Sequence, residues 1–277
     1  MGKITRTWSL MSECWRVLRQ DKRLLVFPMI SGVCCLLLLA SFAIPLYATG
    51  AWEPPGHDAT SQRQVAYYAT LFAFYVGNYF IVVFFNAAIV ACAAIRLGGG
   101  NPTIADGLRA AAARLPVIAG WALVSATVGL VLRIIEDRSE RVGQFVAGLL
   151  GMAWTIVSFL VVPVLVVENK GPLAALKEST VLLKKTWGEQ LTSNFSFGLC
   201  FFVLAIPAIA LMVLGVFAGN PVALIACVGL AVVYLILLAL VSSALQAIFQ
   251  TALYLYARDG QVPGGFSAEV IESALSR

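Results

Sequence analysis

The chain has 277 residues, of which 60% are hydrophobic and 12% charged, with a formal net charge of +5. Soluble domains run at roughly 45–50% apolar and about 25% charged, so this composition excludes an ordinary cytosolic enzyme, an intrinsically disordered chain and a nucleic-acid-binding domain. What fits is an all-α integral membrane protein.

The chain opens with an amphipathic segment over residues 4–20. Ile4, Trp8, Met11, Trp15 and Leu18 recur at helical spacing on one face, while Arg6, Glu13, Arg16 and Arg19 fall elsewhere. Such a helix lies flat on a membrane surface, with its indole rings at interfacial depth and its basic edge toward anionic phospholipid headgroups. The following apolar run has no small-residue cleavage site before the Trp52-Glu53-Pro54-Pro55 loop, so it reads as a retained helix rather than a signal peptide.

Six stretches are long and apolar enough to cross roughly 30 Å of hydrocarbon, near residues 26–49, 65–95, 115–135, 142–167, 191–218 and 222–256. None shows the two-residue alternation of barrel strands. The second and sixth exceed what a bilayer needs and are expected to tilt, kink or run on into water. Pro45, Pro163 and Pro207 each remove a backbone donor from a span, so kinks are expected there. Asn78 and Asn86 in span two, with Gln246 and Gln250 in span six, are amides set in hydrocarbon. They are expected either to line a hydrated path or to bond between helices as packing glue. Gln246, Gln250 and Tyr254 share one side of their helix.

Between spans two and three, Gly98-Gly99-Gly100-Asn101-Pro102 breaks the chain, and Thr103 with Asp106 forms an N-capping pattern for a second amphipathic helix carrying Ile104, Leu108, Ala111 and Leu115 on one face. At the opposite side, Arg133, Glu136, Asp137, Arg138, Glu140 and Arg141 form the densest charge cluster, read as a solvated helix end or, in an oligomer, as a charged vestibule. In span four, Gly143, Ala147, Gly151 and Thr155 make a small-residue stripe that admits a close neighbour, as do Gly215 and Gly219 at the end of span five. Glu168, where span four ends, is expected in an interfacial salt bridge or, alternatively, as a proton-relay group. Gly171-Pro172 then opens a third amphipathic helix. Leu173, Leu176, Thr180, Leu183 and Trp187 share one side, and Lys177, Glu178, Lys184 and Lys185 lie largely off it.

Basic residues in short loops are held on the cytoplasmic side. Lys3, Arg6, Arg16, Arg19, Lys22 and Arg23 precede span one; Arg96, Arg109 and Arg114 precede span three; Lys170, Lys177, Lys184 and Lys185 precede span five; Arg258 and Arg277 follow span six. The other side holds only Arg63, Arg133, Arg138 and Arg141, balanced by five acidic residues. Both termini are therefore expected in the cytoplasm of a bacterial inner-membrane protein, and the basic charge reports orientation rather than a nucleic-acid partner.

The order of amphipathic helix, outward span and inward span recurs over 4–96, 103–168 and 172–257, followed by a tail, 258–277. The whole of 1–277 is read as one membrane domain, with a triplication as one explanation and the ordinary geometry of any six-span chain as the other. Two stretches carry a resemblance: Trp15-Arg16-Val17-Leu18 through Asp21-Lys22-Arg23-Leu24-Leu25-Val26-Phe27-Pro28, and Glu168-Asn169-Lys170-Gly171-Pro172-Leu173-Ala174-Ala175-Leu176-Lys177-Glu178-Ser179. They resemble a broad group of bacterial and archaeal six-span proteins of unknown function, which is similar in turn to the membrane domain beside some glycerophosphodiester phosphodiesterases. The resemblance implies a fold and no catalytic residue, because the soluble phosphodiesterase domain has no counterpart in this sequence.

No constellation for catalysis, metal or cofactor is expected. The one histidine, His57, stands beside Asp58 without further ligands, and the six cysteines read as small apolar residues. Two functions are expected to compete. One is passage of a small solute or ion, with Asn78, Asn86, Gln246 and Gln250 as polar lining and 133–141 as the outer entrance. The other is a non-transporting module that engages lipid or a partner protein through Trp8, Trp15, Trp187, Arg16, Arg19, Lys184 and Lys185. A homo-oligomer is expected in either case.

Overall fold

A computed structural model describes residues 3–48, 60–138, 142–187, 191–217, 219–260 and 262–267. Within them the ordered elements are all helical: α1 (Lys3–Gln20), a 3₁₀ turn (Lys22–Leu25), α2 (Val26–Ala48), α3 (Ser61–Leu97), α4 (Ile104–Ala112), α5 (Leu115–Arg138), α6 (Val142–Val157), α7 (Val161–Glu168), α8 (Pro172–Trp187), α9 (Leu191–Phe217) and α10 (Pro221–Asp259). Six of the helical stretches are long and apolar enough to span a membrane: Lys22–Ala48, Ser61–Leu97, Leu115–Asp137, Gly143–Glu168, Cys200–Phe217 and Pro221–Asp259. The protein is a multi-pass membrane protein.

The length of α3 and α10, 37 and 39 residues, decides where the core sits. At 1.5 Å per residue each measures over 50 Å, well beyond the roughly 30 Å of hydrocarbon. The surplus lies at the end that holds α1 and residues 262–267, called here the basal end. There Ala87–Ala93 and Leu97 of α3 are buried in an unbroken run, as are most residues from Ala244 to Tyr254 of α10. Burial on every side of a helix means protein all round it. The distal stretch of α10 is the reverse: Val222, Ile225, Leu230, Val233, Ile236 and Leu237 are exposed, and the solvent for such a surface is lipid. Both segments carry their surplus length into a packed basal layer.

That layer is sheathed by the short helices. Thr103 caps α4 as its spacing with Asp106 predicts: the Asp106 amide donates to Thr103 Oγ1 at 3.2 Å and the Thr103 amide donates back to Asp106 Oδ2 at 3.0 Å. α4 crosses α3 so closely at Gly107 that a Cβ there would lie 2.6 Å from Cys92 Sγ, 2.7 Å from Phe27 Cζ and 2.9 Å from the Ala88 carbonyl oxygen. Only a residue without a side chain fits that crossing.

α1 departs from the one-faced helix that the sequence suggests. Leu10, Cys14, Val17 and Leu18 are packed into the core while Trp8 and Trp15 remain 63% and 40% exposed, so the helix has a protein face beside its membrane face. Glu13 goes with the protein face and is buried. Its Oε1 accepts from the amide and hydroxyl of Ser267 at 3.2 and 2.7 Å, which ties the N-terminal helix to the chain beyond α10. Burial also pushes the Cys14 thiol far above its ordinary range, so it is a neutral packing group.

Span four is broken. α6 stops at Val157 and α7 starts at Val161, leaving a turn at 158–160. The fully buried Ser179 of α8 enters this break: the Leu160 amide donates to Ser179 Oγ at 3.1 Å, and the Ser179 hydroxyl donates to the Val157 carbonyl at 2.7 Å. One hydroxyl thus satisfies a donor and an acceptor that the interrupted helix leaves open. Pro163 falls in the first turn of α7, where its missing N–H costs nothing, so the kink expected there is a complete interruption set three residues earlier. Pro45 and Pro207 lie inside continuous helices.

Candidate functional site

Three places combine polar groups with space or charge. The largest is a cleft of about 580 Å³ between α2, α3 and α10. α2 and α3 run antiparallel, with the Phe42 and Phe74 rings 5.6 Å apart and Leu38 against Gly77. Extending that register puts Asn78 opposite residue ~37 and Asn86 opposite residue ~30, about 12 Å apart in depth at 1.5 Å per residue. Asn78 is then near the middle of the apolar layer and Asn86 near its basal edge. Both line the cleft, together with Ser31 and Ser243, and its remaining walls are apolar. Neither carboxamide has a hydrogen-bond partner among the described residues.

The four amides expected to act together therefore divide. Gln246 is exposed and Gln250 half-buried, and neither borders the cleft. They lie one and two turns basal of Ser243, where α10 leaves the cleft for the core. Tyr254, expected on the same stripe, is fully buried.

The second place is a hollow of about 350 Å³ roofed by α1. Trp8, Met11, Ser12 and Trp15 form its upper wall, and Phe201, Leu204, Leu238, Val241 and Leu245 of α9 and α10 form its floor. The Arg19 guanidinium stands 5.7 Å from the centre of the Trp15 ring, a cation–π geometry. Arg16 is exposed on the same helix. Tyr234 fixes the floor by donating to the Leu204 carbonyl at 2.7 Å.

The third is a basal charge network that the sequence reveals only in part. Asn169 adopts the left-handed conformation at φ +53° and turns the chain between α7 and α8. The turn brings Lys170 Nζ to 2.6 Å from Glu168 Oε2 and 3.0 Å from Glu178 Oε2. Tyr254 donates to Glu168 Oε1 at 2.5 Å, and Arg258 lies over the Tyr254 ring at 5.4 Å while pairing with Asp259 at 2.7 Å. Of the two roles expected for Glu168, the salt bridge is the one formed. The hydrogen bonds to Glu168 and Glu178 hold the Lys170 ammonium above its ordinary pKa. A raised cation contributes stability below its unfolded pKa and loses it as pH rises through the folded value, so the Lys170 contribution holds across the neutral range and is lost in strongly alkaline solution, while in acid the clasp is lost as its two carboxylates protonate.

The distal charge cluster is local. Arg133 pairs with Glu136 and Asp137 on its own helix, at 3.4 Å each, and all three side chains are substantially exposed. The Arg138 side chain and residues 139–141, including Glu140 and Arg141, lie outside the described residues. So do the side chains of Trp187 and Lys185, whereas Lys184 is exposed on α8.

Of the small-residue stripes, Gly143, Ala147, Gly151 and Gly215 face their own chain, whereas Thr155 is exposed and Gly219 has open space around it. Gly143 and Ala147 are buried, and a Cβ on Gly151 would meet Leu132 of α5 at 3.7 Å. At Gly215 a Cβ would lie 2.8 Å from that of Cys227, across the α9–α10 hairpin, and Gly219 takes φ +63° in the turn between them. Gly215→Val should therefore pry this hairpin apart and lower stability by about 1–3 kcal/mol, the usual cost of overpacking, measured as an earlier unfolding midpoint on titration with sodium dodecyl sulfate. Among the described residues no three His, Cys, Asp or Glu side chains gather as a metal site would require.

A family model described as "Family of unknown function (DUF6159)" matches residues 65–265, from α3 to the segment beyond α10. No curated protein matches the chain.

Proposed function

The chain belongs to the DUF6159 family of unknown function, and we propose that it is a non-transporting membrane module, without chemistry of its own, that holds anionic phospholipid beneath its N-terminal helix. The hollow under α1 carries this reading. It is apolar on both walls and sized for hydrocarbon, and an indole–guanidinium pair stands on its roof where a phosphate would emerge. The positive-inside distribution of Lys and Arg supports a cytoplasmic basal end, and in that orientation the bound lipid comes from the inner leaflet of a bacterial inner membrane. Arg16, exposed on α1, adds to the attraction for acidic headgroups.

Passage of a solute or ion has weaker support. A conducting path needs its polar groups to converge, and here Gln246 and Gln250 stand apart from Asn78 and Asn86.

The test is reconstitution in liposomes of mixed anionic and zwitterionic phospholipid. Purified protein should retain anionic lipid selectively in native mass spectrometry and lose it several-fold in a Trp8→Ala/Trp15→Ala variant. Ion flux should not exceed that of protein-free vesicles. Flux that falls in Gln246→Leu/Gln250→Leu, or equal retention of both lipid classes, would overturn this reading.

A further inference from the structure

Two carboxamides without partners, at two depths of one apolar cleft, call for an occupant. A primary amide in hydrocarbon loses its hydrogen bonds to water and gains none back unless something supplies them. Acyl chains carry neither donors nor acceptors. The ester groups of a phospholipid stay near the interface, so they reach the depth of Asn86 but not that of Asn78. Water is poorly served by walls that are apolar apart from Ser31, Ser243 and the amides themselves.

We infer that the cleft between α2, α3 and α10 is the contact surface for a second copy of this chain, related by a two-fold axis along the membrane normal. Copies inserted in the same direction share every depth, so under such an axis each residue meets residues of its own level. A carboxamide carries both donors and an acceptor and can pair with its own equivalent. Asn78 then finds the partner's Asn78, and Asn86 the partner's Asn86, whatever their depth. Met29, Val33 and Leu36 stand exposed at helical spacing on the α2 wall of the same cleft and give the amides an apolar surround. An isologous contact joins a surface to itself, so this apolar surround meets its own equivalent at each level and shuts the amide pairs off from lipid. The hollow beneath α1 uses Leu238, Val241 and Leu245 on the opposite side of α10 from Ile236, Leu240 and Ser243, so this inference does not rest on the lipid reading.

The experiment is single-molecule photobleaching of the singly labelled full chain in liposomes over a range of protein-to-lipid ratios. Two-step bleaching should dominate at high density and give way to one-step bleaching on dilution. Asn78→Leu/Asn86→Leu should move that midpoint at least tenfold toward monomer, while Asn78→Gln/Asn86→Gln keeps most of the association. Because neither amide bonds within its own chain, the Leu pair should leave the unfolding midpoint of the dilute protein unchanged. Val82→Trp, on an exposed part of the cleft wall, should block association by filling the groove from outside the core. One-step bleaching at every density would overturn the inference. So would a dimer indifferent to both the Leu pair and Val82→Trp, or a co-purified lipid that the Leu pair releases with no change in association.

Discussion

Replacing Gly107 by Val should undock α4 from the basal core and lower stability sharply. The added side chain would begin 2.6–2.9 Å from Cys92, Phe27 and the Ala88 backbone. Phe27 is fully buried, and the Ala88 oxygen belongs to backbone in the buried basal run of α3, so neither can yield cheaply. Overpacking of this kind costs about 1–3 kcal/mol and more where backbone is struck. The loss should appear as an earlier detergent-unfolding midpoint, with faster proteolysis at the 98–102 breaker as α4 swings free. Gly107→Ala should show the same effect at smaller size. A wild-type midpoint in both variants would mean that α4 does not lie on α3 as described.

Ser179→Ala should cost at least as much. It removes one oxygen and leaves two backbone groups, Leu160 N–H and Val157 C=O, buried without partners. Each orphaned group costs about 1–3 kcal/mol, and no bulk water is at hand to soften the loss. Hydrogen exchange at the Leu160 amide gives a local readout. Its protection should fall by more than that of amides in the middle of α6, and a uniform change along the span would count against the hydroxyl's bridging role.

Much of this architecture is legible in the sequence because membrane burial follows from runs of apolar residues, and such runs are local. The six spans and the cap at Thr103 depend on neighbours within a few positions. What is not legible depends on contacts between distant segments. Glu13 reads as a polar residue on the wet side of α1 because its partner, Ser267, is 254 positions away. The split of the amides is hidden for a related reason. A shared stripe on α10 puts Gln246 and Gln250 in line with Ser243, but whether a stripe faces a cleft, a core or lipid depends on which helix passes beside it at each level. The break in span four is half visible, since Pro163 announces an interruption, while the serine that fills it sits in a helix that reads as a surface element.

The tie between Glu13 and Ser267 has a consequence for biogenesis. α1 packs against α10 and α9, and its Val17 and Glu13 meet the segment just past α10, all of which are synthesised long after it. α1 is thus made well before the surfaces it docks on, and until they emerge it must wait at the membrane surface on its tryptophans. A nascent chain stalled before residue 191 should leave Cys14 open to thiol-reactive reagents, and synthesis past residue 267 should close it.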